Sequence, residues 1–102
     1  NAPMTETQTV RLGADADQVL NSEAFKLAMS HLKTSVVQEW KACPVRDQEG
    51  ALLLLQLAKL TDKFESILVG MVETGKLTQH NLDLREVRNE SNARKFMRRV
   101  VG

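Results

Sequence analysis

Residues 47–75 read DQEGALLLLQLAKLTDKFESILVGMVETG, and this segment decides the fold. Large apolar side chains recur in it at spacings of four, three, four, three and four residues. We call them the first stripe: Leu53, Leu57, Leu60, Phe64, Ile67 and Met71. Such spacing aligns side chains on one side of an α-helix, which then requires a partner helix. Asp47 is placed to N-cap this helix and Gly75 to end it, so we predict one helix between them.

A second helix is predicted ahead of the first. Large side chains recur at helical spacing over residues 22–42: Phe25, Met29, Leu32, Val36 and Trp40. Asn21 or Ser22 is placed to cap this helix, and Pro44 cannot continue it. The link of about four residues favours an antiparallel neighbour. We therefore expect the first stripe to face the second helix, with Phe25 near Phe64.

The predicted main helix carries more apolar surface than one partner helix covers. A second, weaker stripe, interrupted by Thr61 and Glu65, lies beside the first: Leu54, Ala58, Leu68 and Val72. Either the monomer covers both stripes, or one packs within the chain and the other contacts another subunit. We favour the latter because 102 residues supply few other elements. The candidate partner contacts are Trp40, Pro44, Leu54, Leu68 and Val72.

Trp40 is the single tryptophan of the chain, and it stands beside the predicted turn. Two roles are open for it. It either fills the core at the turn end of the hairpin near Leu53, which we favour, or it is exposed and contacts a partner. Trp is a common hot spot of protein–protein interfaces.

The rest of the chain adds shorter segments. Only two prolines and five glycines are present, and no alternating strand pattern occurs, so the class is all-α. We interpret residues 1–13 as a tag remnant (Asn1, Ala2 and Pro3) and a loose N-terminus, residues 14–84 as a helical hairpin domain, and residues 85–102 as a basic C-terminal segment. A polar break is expected at residues 89–92. The predicted fold is a long antiparallel hairpin with short N- and C-terminal helical segments, completed by oligomerisation.

No residue pattern of an enzyme is visible. Cys43 could pair nominally with His31 or His80, but it stands beside a proline in a tight turn and lacks an orienting group at a meaningful spacing. No histidine or cysteine lies three or four residues from either histidine, and no phosphate-binding glycine motif occurs. We therefore predict no catalytic, metal or cofactor-binding residues and no cofactor. The apolar runs are too short to cross a membrane.

The net charge of +1 hides an asymmetry. Residues 76–102 hold seven basic and three acidic residues, and residues 1–75 hold seven basic and ten acidic ones. The candidate nucleic-acid contacts are Arg94, Lys95, Arg98 and Arg99, which helical spacing places apart from Phe96 and Val100. The favoured alternative is an ordinary terminal helix that balances an acidic body, since no aromatic platform for base stacking accompanies these charges.

The order of these features resembles a family of short proteins encoded by tailed bacteriophages and prophages. The shared pattern, over residues 21–82, is a helix ending in Trp40, a turn with Pro44, an acidic cap, a Leu-rich helix and Gly75-Lys76. Members usually carry a charged pair after the cap, whereas Gly50 and Ala51 follow here. The resemblance implies a phage gene product of the morphogenesis region without an established activity.

Together these patterns predict a non-enzymatic phage or prophage protein that self-associates and acts in virion assembly or structure. The alternative is a DNA-binding packaging accessory, similar to a small terminase, that uses the basic C-terminal segment. The expected partners are further copies of the chain and other virion proteins, with nucleic acid not favoured and no membrane. The expected location is the host bacterial cytoplasm or the virion.

Overall fold

The computed structural model describes residues 3–101, so the tag interpretation of Asn1 and Ala2, together with Gly102, lies outside the described residues. Three α-helices follow one another: α1 spans Glu6–Asn21, α2 spans Glu23–Ala42 and α3 spans Gln48–Val101. Within the described part of the chain no strand is present. The predicted all-α class is confirmed.

The molecule is a long hairpin in which α1 and α2 lie end to end, antiparallel to α3. Gly13 of α1 lies against Gly75, Phe25 of α2 contacts Phe64, and Trp40 lines a groove with Ala51 near the turn. The dimensions are 84 × 29 × 20 Å, so the length is that of α3 itself at about 1.5 Å per residue. The core is therefore a narrow seam between α3 and the row that α1 and α2 form.

Side-chain caps set the helix starts. The Thr5 hydroxyl accepts from the Gln8 backbone N–H, and the Gln8 side chain accepts from the Thr5 N–H, which forms a capping box. Ser22 caps α2 through Phe25, and the Asp47 carboxylate accepts from the Gly50 N–H at 3.0 Å. The predicted cap at Asp47, the one at Ser22 and the end of α2 before Pro44 are confirmed.

The predicted ends of two segments are wrong. α1 begins at Glu6, so residues 6–13 are helical and not loose. α3 runs through Gly75 and through the expected polar break at residues 89–92, reaching Val101 as one helix of 54 residues. Gly75 ends no helix, because the described glycines all keep negative φ and the left-handed conformation of a helix stop is not used.

Gly75 instead allows two backbones to touch. A Cβ placed on Gly75 would lie 2.9 Å from the Cα of Gly13, and a Cβ on Gly13 would lie 2.9 Å from the Cα of Gly75 and the carbonyl oxygen of Met71. Real side-chain atoms do not approach that closely, so α1 and α3 cross at this distance only with glycine at both positions. Ala16, one turn further along α1, is also buried.

The seam uses the second stripe, not the first. Eight of the buried or half-buried positions of α3 follow it: Ala51, Leu54, Ala58, Thr61, Glu65, Leu68, Val72 and Gly75. The expectation that the first stripe faces the partner helix is therefore wrong. The physical reason is the close crossing at Gly13 and Gly75, which places the seam along the line of α3 that contains Gly75. The first-stripe residues, one position earlier along the helix than those of the second stripe, are left at the flank.

Both polar interruptions of the second stripe fit into the seam. Thr61 is buried, but its hydroxyl donates to the Leu57 carbonyl at 2.9 Å and so leaves no unsatisfied group. Glu65 is half-buried, and its carboxylate pairs with the Lys33 ammonium of α2. Neither residue therefore breaks the packing of α3 against the other row.

None of the helices within residues 3–101 contains an apolar segment long enough to cross a membrane.

Candidate interaction surface

The first stripe forms a long exposed apolar surface on α3. Its six side chains remain between 40% and 65% exposed along five turns of α3. Taking about 200 Å² for a fully exposed side chain of this size, roughly 600 Å² of apolar surface lies open in one line. Monomeric proteins rarely expose contiguous apolar patches above about 300–600 Å², so this surface requires an explanation.

Residues of α1 and α2 extend this surface sideways. The rings of Phe25 and Phe64 meet edge to face with centroids 6.2 Å apart, and Leu12 lines one depression with Met71. The expected proximity of Phe25 and Phe64 is thus confirmed. Val19 and Leu32 stand seven residues after Leu12 and Phe25, two helical turns further on the same side, and both are exposed.

We call the first stripe together with Leu12, Val19, Phe25 and Leu32 the apolar face. The exposed parts of Leu12, Val19 and Leu32 add roughly 200 Å², so the whole face offers about 800 Å². That is the area one partner contributes to a protein–protein interface of standard size. The hairpin therefore presents an interface-sized apolar surface along one flank.

The predicted partner contacts fall into two groups. Leu54, Leu68 and Val72 are half-buried in the seam, where Leu54 lines a groove with Val36 and Val72 lies beside Gly13. Their contact with another subunit stays a prediction, and their position against α1 and α2 does not favour it. Trp40 and Pro44 lie at the turn instead, and both are exposed.

Trp40 does not plug the core. Its side chain is 56% exposed and borders an open apolar groove of about 650 Å³ between α2 and α3, with Val37 and Leu55 among the lining residues. On its other side Trp40 borders a second depression with Cys43 and Pro44. Of the two roles open for Trp40, the buried one near Leu53 is wrong.

Cys43 lies at the end of α2, beside the Asp47 cap of α3. Burial first, and then the charge of the Asp47 carboxylate, raise the pKa of the Cys43 thiol above its ordinary value. The Sγ atom lies 3.6 Å from the Asp47 carbonyl oxygen and 3.8 Å from its carboxylate. A nucleophilic cysteine needs the opposite shift, since the thiolate is the reactive form. Among the described residues no group of three His, Cys, Asp or Glu side chains is arranged to hold a metal ion.

The basic C-terminal segment is an exposed extension of α3. Arg85 pairs with Glu6 at the start of α1, so the part of α3 that follows extends beyond that helix. Every residue from Asp83 to Val101 is exposed, including the predicted nucleic-acid contacts Arg94, Lys95, Arg98 and Arg99. These four cations are accessible on a projecting helix, and Phe96 and Val100 are exposed beside them.

The sequence analysis predicts no contribution from Leu12 and Gly13, because residues 1–13 are expected to be loose. One signal for α1 was available, since Thr5 and Gln8 have the spacing of a capping box ahead of an apolar-periodic run. The pairing of Gly13 with Gly75 had no such signal, because it depends on the register of two segments far apart in sequence.

Comparisons of the chain with protein-family models, with curated proteins and with solved structures find no match.

Proposed function

We propose that this chain is a non-enzymatic, self-associating helical module that acts in virion assembly or structure in a bacteriophage or prophage. The observation that carries self-association is the apolar face, which leaves interface-sized apolar area open in the single chain. The phage context is supported by the resemblance of residues 21–82 described above, and the raised pKa of Cys43 supports a role without nucleophilic chemistry.

A second copy of the chain is the simplest cover for the apolar face. Two hairpins that stack through the apolar face form an arrangement with four helices in cross-section. Each α3, and each row formed by α1 and α2, then packs against a second neighbour. Large side chains at heptad spacing are suited to interdigitate with an identical set. The two-helix seam alone is narrow, so association also supplies the core that one chain lacks.

A charge placed in the apolar face tests self-association. We expect light scattering to give the wild-type protein a mass above the 11.4 kDa of one chain. Leu60→Glu buries an unpaired carboxylate in the proposed interface and is expected to return the mass to one chain. Ser66→Glu makes the same charge change at an exposed position that is not part of the apolar face and should leave the mass unchanged.

Circular dichroism separates loss of association from loss of fold in these variants. Leu60→Glu is expected to remain helical at low temperature while losing its partner. Equal effects of Leu60→Glu and Ser66→Glu on the mass would contradict the assignment of the interface to the apolar face. The role in the virion is tested separately, because deletion of the gene should lower the yield of assembled particles while DNA replication continues.

The accessibility of the basic C-terminal segment favours one second candidate, a DNA-binding packaging accessory. Its four cations project beyond α1 and are free to approach phosphates. DNA affinity that falls with salt is expected, because each neutralised phosphate releases counterions. The slope of log K against log salt should drop by about 3–4 when Arg94, Lys95, Arg98 and Arg99 are changed to Gln.

Four lysines on the hairpin body provide the matched control for that experiment: Lys26, Lys41, Lys59 and Lys63. Changing them to Gln removes the same charge and should change the slope little. Equal losses in the two sets would indicate non-specific attraction, and absence of binding at low salt would exclude this second candidate.

A further inference from the structure

We propose that the second copy binds the apolar face in antiparallel orientation, about a two-fold axis that passes between Leu60 and Phe64 of the two α3 helices. This inference rests on the proposed self-association and adds the orientation, the register and the place of the basic ends. Three observations carry it: the spacing within the first stripe, the position of the stripe along α3, and the distribution of charge.

The spacing within the first stripe is the same in both chain directions. Its intervals are four, three, four, three and four residues, a series that reads identically backwards. A two-fold interface must be self-complementary, because the same surface meets itself. In the antiparallel register every large side chain therefore lies opposite another: Leu53 opposite Met71, Leu57 opposite Ile67, and Leu60 opposite Phe64.

The position of the stripe leaves the rest of α3 outside the interface. With the axis between Leu60 and Phe64, the first residue of α3 lies opposite Lys76 of the other copy, since both are fourteen residues from the centre. Residues beyond about 80 then project past the turn of the partner. The projecting part includes Asp83 to Val101, which carries none of the first stripe.

The charge distribution selects between two ways of stacking identical hairpins. In a stack with both turns at one end, the two basic C-terminal segments lie side by side, and four cations on each repel the other set. In the antiparallel stack the two sets lie at opposite ends, separated by about 100 Å at 1.5 Å per residue. That distance is about ten Debye lengths at ordinary salt, so the repulsion vanishes.

The two stacks differ in overall length. α3 extends 39 residues from the axis to Val101, so the antiparallel dimer is about 120 Å long. The stack with both turns at one end keeps the 84 Å length of a single hairpin. The antiparallel dimer is thus a rod with a basic helix projecting from each end, a form suited to link two acidic surfaces.

Distances between spin labels test the orientation directly. In a Cys43→Ser background, which removes the single native thiol, one label is placed at His80→Cys and, in a second protein, at Lys63→Cys. Both sites are exposed on α3. Pulsed electron paramagnetic resonance should give about 55 Å between labels at position 80 and less than about 20 Å at position 63, near the axis.

Each outcome decides a different point. A distance below about 20 Å at position 80 would overturn the antiparallel orientation and leave self-association intact. A long distance at position 63 would overturn the register. Absence of any dipolar coupling, with a light-scattering mass of 11.4 kDa, would overturn the proposed function itself. A mixed disulfide between Leu53→Cys and Met71→Cys chains, in preference to either homodimer, is expected as an independent confirmation.

Discussion

The two halves of the hairpin pack against α3 in opposite ways. α1 approaches α3 until the backbones touch, with glycine on both sides and Ala16 buried nearby. α2 meets α3 through larger side chains, Met29 and Val36, and an open groove of about 650 Å³ lies between α2 and α3 near the turn. We call the α1 part of the hairpin the close half and the α2 part the open half. The close half is held by direct backbone contact, whereas the open half leaves large apolar residues in solvent.

This difference follows from where the small residues stand. Close approach of two helices needs small side chains in the seam, and Gly13, Ala16 and Gly75 provide them where α1 meets α3. The large residues of the first stripe are then excluded from the seam and remain at the flank. The packing that closes a single chain thus leaves exposed the apolar face through which we propose that two chains associate.

The close half is the more sensitive to a single methyl group. Gly75→Ala places a Cβ 2.9 Å from the Gly13 Cα, and this contact is with backbone that cannot rotate away. The helices must separate, so we expect a loss of about 1–3 kcal/mol in the free energy of unfolding, partly offset by the better helix propensity of Ala. Urea denaturation at a fixed protein concentration measures it.

Gly70→Ala is the matched control on the same helix. A Cβ on Gly70 meets nothing within 4 Å, so the helix propensity gain of about 0.5–1 kcal/mol should appear without a clash. The same substitution five residues apart is therefore expected to change stability with opposite sign. If Gly75→Ala stabilised the protein as Gly70→Ala does, the close crossing of α1 and α3 would be excluded.

An intermediate effect is expected at the turn of the open half. Asp47→Ala removes the cap at the Gly50 N–H and should cost about 1 kcal/mol of unfolding free energy. It also removes the carboxylate that raises the pKa of Cys43, so the pKa should fall and the thiol should react faster with a disulfide reagent at pH 8. Burial, the larger cause of the shift, remains, so the change is partial.

Glu49→Ala is the control for this change. It removes a carboxylate from the same first turn, but Glu49 makes none of the cap bonds of Asp47. We expect a smaller loss of stability and an unchanged rate of thiol reaction. Equal thiol rates in Asp47→Ala and wild type would show that the Asp47 charge does not act on Cys43.

The smallest effect is expected at the pair formed by exposed Lys33 and half-buried Glu65. The hydrogen bond to Glu65 raises the pKa of Lys33 above its ordinary value of 10.5, against the opposing effect of burial. A raised lysine pKa stabilises the fold below that value, and the contribution is lost as the pH rises through the folded-state pKa. Lys33→Met should therefore lower the melting temperature at neutral pH but not well above pH 10.5.

Lys63→Met removes the same charge from an exposed site of α3 and is the control. Its effect on the melting temperature should be smaller at neutral pH. A difference between Lys33→Met and wild type that persisted at alkaline pH would mean that the aliphatic stem of Lys33, and not its charge, provides the stabilisation.

Local signals in the sequence predict most of this fold. The class, the caps at Asp47 and Ser22, the turn at Pro44 and the meeting of Phe25 with Phe64 follow from propensity, capping and spacing. The sequence predicts a helix end at Gly75 because a glycine after an apolar run commonly ends a helix. That signal is the same whether or not a second glycine lies opposite it in the fold. That second glycine, Gly13, is sixty-two residues away in sequence.

The assignment of the stripes failed for a related reason. Hydrophobic size predicts which residues leave water and therefore favours Leu60 and Ile67 over Ala58 and Thr61, but here the backbone contact of Gly75 with Gly13 sets the line of the seam. Thr61 counted as an interruption because its bond to the Leu57 carbonyl depends on the folded helix. The stripe that is predicted to face the partner helix therefore lies on the correct helix, but one position along it from the residues that fill the seam.

Sedimentation equilibrium of the wild-type chain over a wide range of concentration determines whether another copy covers the apolar face. Self-association through this face predicts a mass that rises with concentration to twice 11.4 kDa. A mass of 11.4 kDa at every concentration up to about 1 mM would contradict it.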